Sequence, residues 1–317
     1  MQVLNNPMIK RLMILGPTAS GKSDLAIQLA MELGGEVISA DSRQCYKKID
    51  IGTAKPGPED LNRVKHYNIS QLELEESDSA ARFLARAMDW EAEIQARGNV
   101  VFYAGGSTLH LQGIIQPFDP LPPSNPENIR GLQQQADSEG LESLLQELER
   151  VDPGYAKQID GLNRHRLFRA LDVWRQTGKP FSSFHRQNEP KPPDDLFVIG
   201  LHHPRKKLYE RINRRTERMI EEGLIGETEA ILAEGYSPDL QSLQTVGYRD
   251  VLQYLKGDVT RDQMIDNIKT ATRRYAKRQL TWFRRWPFIH WLDADKQKTE
   301  ELAETAKLNL AAKHKKG

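Results

Sequence analysis

The feature that most constrains the fold of this chain is a glycine-rich octapeptide near its start. It fits the phosphate-loop pattern GxxxxGK[ST] and consists of Gly16, Pro17, Thr18, Ala19, Ser20, Gly21, Lys22 and Ser23. An apolar run at residues 12–15 precedes it and a helical pattern at 24–33 follows it, which is the strand-loop-helix context that this motif requires. In that context backbone N–H groups and the positive end of the helix face a diphosphate or triphosphate. We therefore expect Lys22 to contact phosphate oxygens and Ser23 to bind Mg2+, a hard ion that prefers oxygen ligands.

Strand and helix patterns alternate over the first hundred residues. Strand patterns at residues 36–40 and 100–104 follow the one at 12–15, and helical patterns at 24–33 and 79–96 lie between them. Such alternation is typical of an α/β fold, in which helices cover both faces of a parallel sheet. The sequence thus predicts an α/β core built around the phosphate loop.

Two proline-rich stretches divide the rest of the chain. Five prolines lie between residues 117 and 126, and three more lie between 190 and 193. Proline continues neither a helix nor a central strand. Residues 127–177 have apolar side chains at helical spacing, whereas 196–201 is an apolar run typical of a buried strand. We therefore predict a helical insertion domain at 119–193, within a core formed by residues 1–118 and 194–317.

Charge and cysteine content exclude several classes of protein. The 45 lysines and arginines balance 44 acidic residues, for a net charge of +1, so a nucleic-acid partner would require local basic patches. Cys45 is the single cysteine, which excludes a disulfide framework and a cysteine-rich zinc module. The first ten residues lack the apolar core of a signal peptide, and no run of about 18 apolar residues follows. We expect a soluble, cytoplasmic protein that does not contact a membrane.

Polar or small residues follow two of the predicted strands. Asp41 ends the strand at 36–40, and Gly105, Gly106 and Ser107 end the strand at 100–104. Because the carboxyl ends of parallel strands face the ligand crevice, Asp41 is a candidate water-mediated ligand of Mg2+ or a general base; alternatively, it caps the turn that follows. The second strand lacks the acid of an ATP-hydrolysing motor. Its glycines would let a substrate approach the backbone, beside the Ser107 hydroxyl, or would form a plain tight turn.

Three clusters of basic residues are candidate phosphate contacts. Arg211, Arg214, Arg215 and Arg218 share a face of the helix predicted at 205–222, where one of them could bind a phosphate or all could form a solvated face. Residues 270–285 contain six basic residues and no acid. Aromatic residues interleave with them, which is typical of RNA contact, or belong to the core: Tyr275, Trp282, Phe283 and Trp286. The third cluster lies in the insertion and consists of Arg164, His165, Arg166, Arg169 and Arg175.

Five segments of the chain together resemble the bacterial tRNA dimethylallyltransferases, also called the tRNA isopentenyltransferase family. They are the phosphate loop, Asp41-Ser42-Arg43-Gln44, Asp50-Ile51-Gly52-Thr53-Ala54-Lys55-Pro56, Val246-Gly247-Tyr248-Arg249 and Tyr275-Ala276-Lys277-Arg278-Gln279-Leu280-Thr281-Trp282-Phe283. Their order and spacing match over nearly the whole chain. The phosphate loop alone occurs in many families, whereas the second and third segments together are highly specific.

This resemblance implies transfer of a dimethylallyl group from dimethylallyl diphosphate to the exocyclic amine N6 of the adenosine immediately 3′ of a tRNA anticodon. The phosphate loop would hold the diphosphate, whose charge Thr18, Lys22, Ser23 and Mg2+ would neutralise as it leaves. Asp41 would accept the amine proton and Ser107 would position the amine. In the family an arginine that aligns with Arg215 assists the diphosphate. Mg2+ is the expected cofactor.

The resemblance also implies which residues contact tRNA. They are Asp41, Ser42, Arg43, Gln44, Arg130, His165, Arg166, Leu167, Phe168, Arg169, Gln244, Thr245, Val246, Gly247, Tyr248 and Arg249. The helical insertion would bind the anticodon arm, and the target base is flipped at least cost from an unpaired loop. The expected partners are therefore the tRNA anticodon stem-loop and dimethylallyl diphosphate, and we expect a monomer.

The chain departs from the family pattern at one place, and other functions share some of its features. The family usually has Gly-Gly-Thr-x-Leu-Tyr after the strand at 100–104, whereas this chain has Ser107 and His110; His110 leaves the wall of the prenyl channel undefined. A small-molecule kinase of the shikimate or nucleotide type shares the phosphate loop but would leave the insertion and the basic helix without a purpose. A prenyltransferase acting on free adenine nucleotides would not need so large an RNA-facing surface. An RNA-binding nucleotide switch would leave Asp41 and Ser107 without a task.

Overall fold

The computed structural model describes residues 9–118, 121–159, 161–184 and 190–313. The strands of these residues are β1 (Arg11–Leu15), β2 (Gly35–Ala40), β3 (His66–Tyr67), β4 (Val100–Gly105), β5 (Leu196–His202) and β6 (His290–Asp293). They form one parallel sheet in the order β3-β2-β4-β1-β5-β6. The α/β fold predicted from the sequence is confirmed. Sequence analysis missed the edge strands β3 and β6, because neither carries an apolar run like those of the four predicted strands.

Helices connect the strands of the described residues. They are α1 (Lys22–Leu33), α2 (Pro58–Arg63), α3 (Ala80–Ala96), α4 (Thr108–Ile115), α5 (Pro126–Glu139), α6 (Leu141–Val151), α7 (Pro153–Ala156), α8 (Arg164–Thr177), α9 (Arg205–Glu221), α10 (Leu224–Ala233), α11 (Tyr248–Leu255), α12 (Arg261–Phe283) and α13 (Thr299–Lys313), with a 3-10 helix at Phe181–Phe184. Local sequence sets where they begin. The Ser79 hydroxyl accepts from the N–H of Arg82 at the start of α3, and Thr260 forms a capping box with Gln263 at the start of α12. None of the described helices is long and apolar enough to span a membrane.

Strand β1 lies inside the sheet, between β4 and β5. In the register, Leu15 at its end pairs with Gly105 of β4, and Gly105 pairs with Ala40 of β2. The residues that follow these three strands therefore leave the same edge of the sheet at the same level. This places the phosphate loop, Asp41 and the segment after Gly105 side by side.

Alternate residues of the strands fill two apolar layers on the two faces of the sheet. Leu12 and Ile14 pack with α1 and α13 on one face, whereas Met13 and Leu15 pack with α3 and α4 on the other. A third apolar core joins α10, α11 and the first half of α12 to the segment around Tyr46. The parallel sheet is thus covered on both sides, as all-parallel sheets are.

The chain divides into two compact units, Met1–Gln116 with Pro190–Gly317, and Pro117–Glu189. The second unit has its own core, in which Leu132, Leu144, Leu148 and Leu171 are fully buried. Its helices α5 and α7 each begin with a proline, which has no N–H to leave unpaired in the first turn and has the φ angle of a helix.

Candidate functional site

Two glycines give the phosphate loop its backbone path. Gly16 passes so close to β5 that an added Cβ would lie 2.9 Å from the carbonyl oxygen of Leu201. Gly21 has a φ angle of +88°, in the left-handed region that favours glycine, and α1 begins at the next residue. The loop therefore delivers Lys22 and Ser23 to the first turn of α1, where backbone N–H groups have no partner within the helix.

Three side chains from distant parts of the chain hold three successive residues of the phosphate loop. The N–H of Thr18 donates to Oε1 of Gln279 at 2.9 Å, and Nε of Arg211 donates to the carbonyl of Ala19 at 2.7 Å. A ring nitrogen of His203, Nε2, lies 3.1 Å from the carbonyl oxygen of Ser20. The Thr18 amide is thus engaged by the protein itself. Sequence analysis assigned no role to Gln279 or His203, since nothing in the local pattern shows a contact with residues so far away.

Two basic groups beside the loop lack an acidic partner. Burial, and next the nearby charge of Arg215, lower the pKa of Lys22 to about 8. Burial also lowers the pKa of Arg215, against the opposing attraction of Asp41. Neither group forms an ion pair with any described residue, and Nζ of Lys22 donates only to the carbonyl of Pro17, at 3.3 Å. Two partly buried cations that form no ion pair with a described residue define a place for a multiply charged anion.

Asp41, Arg215 and the loop residue Thr18 line a cavity of about 270 Å3, which we call the first cavity. One part of its wall is apolar and consists of Ile212, Met219, Val246 and Ile268. The remaining wall includes the phenol ring of Tyr275. A small branched hydrocarbon attached to an anionic group matches this division into an apolar and a cationic wall.

The geometry of Asp41 is compatible with both of its predicted roles, the cap of the following turn and a contact with a ligand. Its oxygen Oδ1 accepts from the N–H of Arg43 at 2.8 Å and from the N–H of Gln44 at 3.3 Å, so it caps the turn that follows β2. The other oxygen, Oδ2, has no hydrogen-bond partner among the described residues. One oxygen therefore fixes the carboxylate, while the other stays available to a ligand in the first cavity.

The two glycines at the end of β4 serve the protein's own packing. A Cβ on Gly105 would lie 2.2 Å from the carbonyl oxygen of Ala40, and one on Gly106 would lie 2.3 Å from Nε2 of Gln279. The expected close approach is thus to β2 and α12, and no substrate is needed to explain either glycine.

Ser107 and His110 line a second cavity, of about 190 Å3, together with Ser42 and Arg43, which line the first cavity as well. Ser107 precedes α4, but its hydroxyl makes no capping hydrogen bond. His110 is 3% exposed and stacks on Phe83, with ring centroids 4.1 Å apart. Burial lowers the pKa of His110 to about 4, so its imidazole contributes no charge to this wall at neutral pH.

The aromatic residues of the basic stretch are divided between core and surface. Phe283 and Trp286 are buried in the core, and Trp282 packs against it. Tyr275 is 37% exposed as a residue, while burial of its hydroxyl and the charge of Asp41 raise its pKa to about 12. Of the two alternatives for these aromatics, membership of the core therefore holds for Phe283 and Trp286, with Trp282 packed against them, and a stacking surface remains open for Tyr275. Five of the six basic residues are exposed: Arg274, Lys277, Arg278, Arg284 and Arg285.

The predicted RNA-contacting residues of the core are not equally accessible. Gln244 and Arg249 are exposed, Ser42, Arg43, Thr245 and Val246 are partly buried, and Gly247 lines the first cavity. Tyr248 is fully buried, and its hydroxyl bonds Glu227 and the N–H of Gly52. The amide of Gln44 bonds Ser39 and the carbonyls of Thr53 and Ala54. The side chains of Tyr248 and Gln44 thus support the fold, and contact of these two residues with tRNA stays a prediction.

The same distinction holds within the helical unit. Arg130, His165 and Arg166 are exposed. Leu167 and Phe168 are buried in the core of this unit, so their side chains do not reach a ligand. Arg169 donates to the carbonyl of Pro122 at 2.6 Å and to the buried carboxylate of Asp172 at 3.2 Å.

The fold and the cationic first cavity define a phosphate-loop α/β protein with a place for an anion and an attached apolar group. The model of the IPP transferase family matches residues 44–286, and the chain belongs to this family. It is 40% identical to the tRNA dimethylallyltransferase of Salinibacter ruber over 304 residues, which are 96% of this chain and 94% of the relative. Its identity to the tRNA dimethylallyltransferase of Carboxydothermus hydrogenoformans is 43% over 297 residues, which cover 93% and 95%.

Solved structures show the same similarity. A full-length tRNA isopentenylpyrophosphate transferase from Bacillus halodurans is 38% identical and superposes with a TM-score of 0.70, covering 96% of this chain and 98% of that one. A eukaryotic dimethylallyltransferase, studied acting on tRNA, is 27% identical with a TM-score of 0.77, covering 90% and 74%. These findings favour the predicted prenyltransferase over the kinase alternative.

Proposed function

We propose that this protein transfers the dimethylallyl group of dimethylallyl diphosphate to the N6 amine of the adenosine 3′ of the anticodon in tRNA. In this reaction the bond between C1 of the prenyl group and the diphosphate oxygen breaks. A bond between C1 and N6 forms, one amine proton is lost and diphosphate is released. The observation that carries the proposal is the first cavity, where the unpaired cation of Arg215 and the free carboxylate oxygen of Asp41 meet an apolar wall.

The cationic wall suits the leaving group. Negative charge accumulates on the diphosphate as the C1–O bond breaks, and fixed positive charges stabilise it most in a site where little water screens them. Arg215 lines the first cavity and Lys22 lies in the phosphate loop at the start of α1. Neither forms an ion pair with a described residue, so neither must break one to act. The loop residues 16–23 hold the diphosphate, with Thr18 lining the cavity.

Asp41 and Ser107 suit the acceptor. The free oxygen of Asp41 is placed to accept the amine proton, because its partner oxygen is anchored by the backbone of the following turn. Ser107 donates or accepts one hydrogen bond with the amine from the second cavity, and its N–H bond to the carbonyl of Ala40, at 3.2 Å, ties its segment to the end of β2.

The residues at the loop fit a magnesium ion. Ser23 has an exposed hydroxyl that bonds none of the described residues, and the carboxylate of Asp41 can hold the ion through a bound water, so both ligands are hard oxygens. Mg2+ bound there would add positive charge to that of Lys22 and Arg215 on the diphosphate. No group of three or more His, Cys, Asp or Glu side chains forms a metal site in the described part of the chain, which agrees with an ion held chiefly by substrate oxygens and water.

The exposed basic face of α12 suits an RNA backbone. Arg274, Lys277 and Arg278 lie on it, and the guanidinium of Arg278 lies 5.8 Å from the centre of the Tyr275 ring. Such a combination of charge and ring surface binds phosphates and a splayed base without a particular sequence. We propose that it binds the anticodon loop beside the first cavity.

The test is transfer of labelled dimethylallyl from its diphosphate to unmodified tRNA in the presence of Mg2+. The informative variant is Asp41→Asn, because an amide oxygen still caps the turn through Oδ1 while the proton acceptor is lost. We expect the wild type to label tRNA and the variant to lose about 10²- to 10⁴-fold in rate. The exposed Asp258 supplies the matched control, Asp258→Asn, which should retain the wild-type rate.

Replacing the target adenosine by guanosine should abolish labelling if the acceptor is the N6 amine. Absence of labelling by the wild-type protein, together with phosphorylation of a small metabolite by ATP, would refute the proposal in favour of a kinase.

A further inference from the structure

Gln279 of α12 joins the two halves of the site through one amide group. Its Oε1 accepts from the N–H of Thr18 in the phosphate loop at 2.9 Å, and its Nε2 donates to the carbonyl of Gly106 at 2.8 Å. The side chain is 3% exposed, so water does not compete for either bond. The phosphate loop, which faces the leaving group, and the segment of Ser107, which faces the acceptor, are thus connected by a single rigid plane.

We propose that Gln279 is a positioning residue that fixes the distance between the diphosphate and the acceptor amine. This inference rests on the proposed prenyl transfer and adds to it a residue that touches neither substrate. The same connection requires a glycine at position 106, because a side chain there would collide with the amide nitrogen of Gln279.

An amide is the side-chain group that suits this place. It carries a donor and an acceptor in one plane, and here it meets one backbone N–H and one backbone carbonyl. A carboxylate would present an oxygen to the carbonyl of Gly106, and a hydrocarbon would leave both backbone groups buried without partners. The substitutions of Gln279 therefore separate loss of the connection from loss of volume.

The chemistry makes the consequence measurable. The C1–O bond weakens once the diphosphate is held, and the amine must lie in contact with C1 to form the new bond. If the acceptor is displaced, water attacks C1 in its place, the C1–O bond to diphosphate breaks, and dimethylallyl alcohol, diphosphate and a proton are released. The ratio of prenyl alcohol to prenylated tRNA thus reports positioning, whereas a general loss of folded protein lowers both products equally.

The experiment measures both products with Gln279→Leu and Gln279→Glu, using Gln253→Leu as the control because Gln253 is exposed on α11. We expect Gln279→Leu to lose about 10²-fold in transfer, the effect of a misplacement of about 1 Å. Release of prenyl alcohol should fall much less, so the ratio of alcohol to prenylated tRNA rises at least about tenfold. The Gln253 variant should match the wild type in both products.

Gln279→Glu adds a test that is independent of folding yield. A protonated glutamic acid accepts from Thr18 and donates to Gly106, as glutamine does, whereas the carboxylate repels the Gly106 carbonyl. Burial raises the pKa of such a group, so the transfer defect of this variant should shrink as the pH is lowered from 8 to 6. The defect of Gln279→Leu, which has no titratable group, should stay constant.

An unchanged alcohol-to-transfer ratio in Gln279→Leu, with a pH-independent defect in Gln279→Glu, would overturn the positioning role and leave a purely structural one. A wild type that transfers no prenyl group would instead overturn the proposed function itself.

Discussion

Two neighbouring parts of the core contain buried or partly buried basic side chains. The two parts differ in whether an acidic side chain forms an ion pair with them. In the segment around Tyr46, the side chain of Lys55 is 6% exposed and binds Asp50, the Tyr46 carbonyl and Ser70. The guanidinium of Arg86 donates to both carboxylate oxygens of Asp78 there, at 3.1 and 2.9 Å. At the phosphate loop, Lys22 and Arg215 have no acidic partner among the described residues. The same residue types therefore stabilise the fold in the first place and prepare a binding site in the second.

The difference matters because an unpaired buried charge costs folding free energy. A chain that keeps such a charge gains from it only when an external anion arrives. The phosphate-loop motif predicted a ligand for Lys22, whereas the sequence assigned no role to Lys55. The partners found in three dimensions show that Lys55 is a structural cation.

Replacing the two cations without an ion pair is the strongest test of whether they bind a ligand or stabilise the fold. Lys22→Met and Arg215→Met should each lower prenyl transfer by about 10³-fold, because a preorganised charge on the leaving group is lost. Both variants should unfold at equal or higher urea concentration than the wild type, with a gain of about 1 kcal/mol, because a desolvated charge is removed. Steady-state transfer and urea unfolding measure the two effects. A strong loss of stability in either variant would show that these cations are structural after all.

Lys55→Met should give the opposite result. We expect the free energy of unfolding to fall by about 2 kcal/mol, because the carbonyl of Tyr46 and the hydroxyl of Ser70 lose a charged donor. The transfer rate per folded molecule should stay within about threefold of the wild type. Urea unfolding and single-turnover transfer at low temperature test both parts, and a selective loss of transfer would place Lys55 with the ligand-binding cations.

The sequence predicted the parts of this molecule that depend on neighbours along the chain. The octapeptide with its flanking patterns located the phosphate loop, and the alternation of strands and helices gave the parallel sheet. Asp41 was placed correctly at the end of β2, because strand ends share an edge. What escaped prediction depends on long-range contacts: His203 and Gln279 hold the phosphate loop from far along the chain, and no local pattern shows that.

Burial of individual side chains is the second property that the sequence did not predict. Tyr248 belongs to a segment predicted to face RNA, yet its ring fills the third core and an added Cβ on Gly52 would lie 2.4 Å from it. Leu167 and Phe168 lie between the basic residues Arg166 and Arg169 in the sequence, but α8 directs their side chains into the core of the helical unit. A linear segment that is predicted to contact a ligand thus contains residues whose side chains pack only into the protein core.

The pH dependence of binding sharpens the comparison at Lys22. In the free protein its pKa is about 8, and a bound diphosphate raises that pKa. The complex therefore keeps a proton that the free protein loses, and affinity for dimethylallyl diphosphate should fall up to about tenfold per pH unit above about pH 8. Lys22→Arg is the control, because it shares every titration of the ligand and keeps its charge. Equal pH profiles of the two proteins between pH 7.5 and 9.5 would contradict this assignment.

The smallest expected effect comes from His110, a buried basic side chain that is neutral at pH 7 and forms no ion pair with a described residue. Its pKa is about 4 in the folded protein and about 6.5 in the unfolded chain. Between these values the unfolded chain binds a proton that the folded protein does not, so stability falls as the pH falls. Relative to His110→Phe, the wild type should lose about 1.3 kcal/mol between pH 7.5 and pH 5.5.

Urea unfolding at the two pH values measures this loss of stability. The variant His165→Phe, at an exposed position, should lose as much stability between the two pH values as the wild type. Equal acid sensitivity of the wild type and His110→Phe would show that His110 is solvated. Transfer activity should show no titration that depends on His110 between pH 6 and 8.

The three side chains that hold the phosphate loop also set when the loop can work during synthesis. The ribosome makes residues 16–23 early, but β5, which completes the pairing of β1, and the residues His203, Arg211 and Gln279 emerge only after the whole helical unit. Contacts that span such sequence distances form late, because the intervening chain must first lose its freedom. A nascent chain therefore carries an unfinished phosphate site until α12 has been made, and diphosphate binding can serve as a reporter of completed folding.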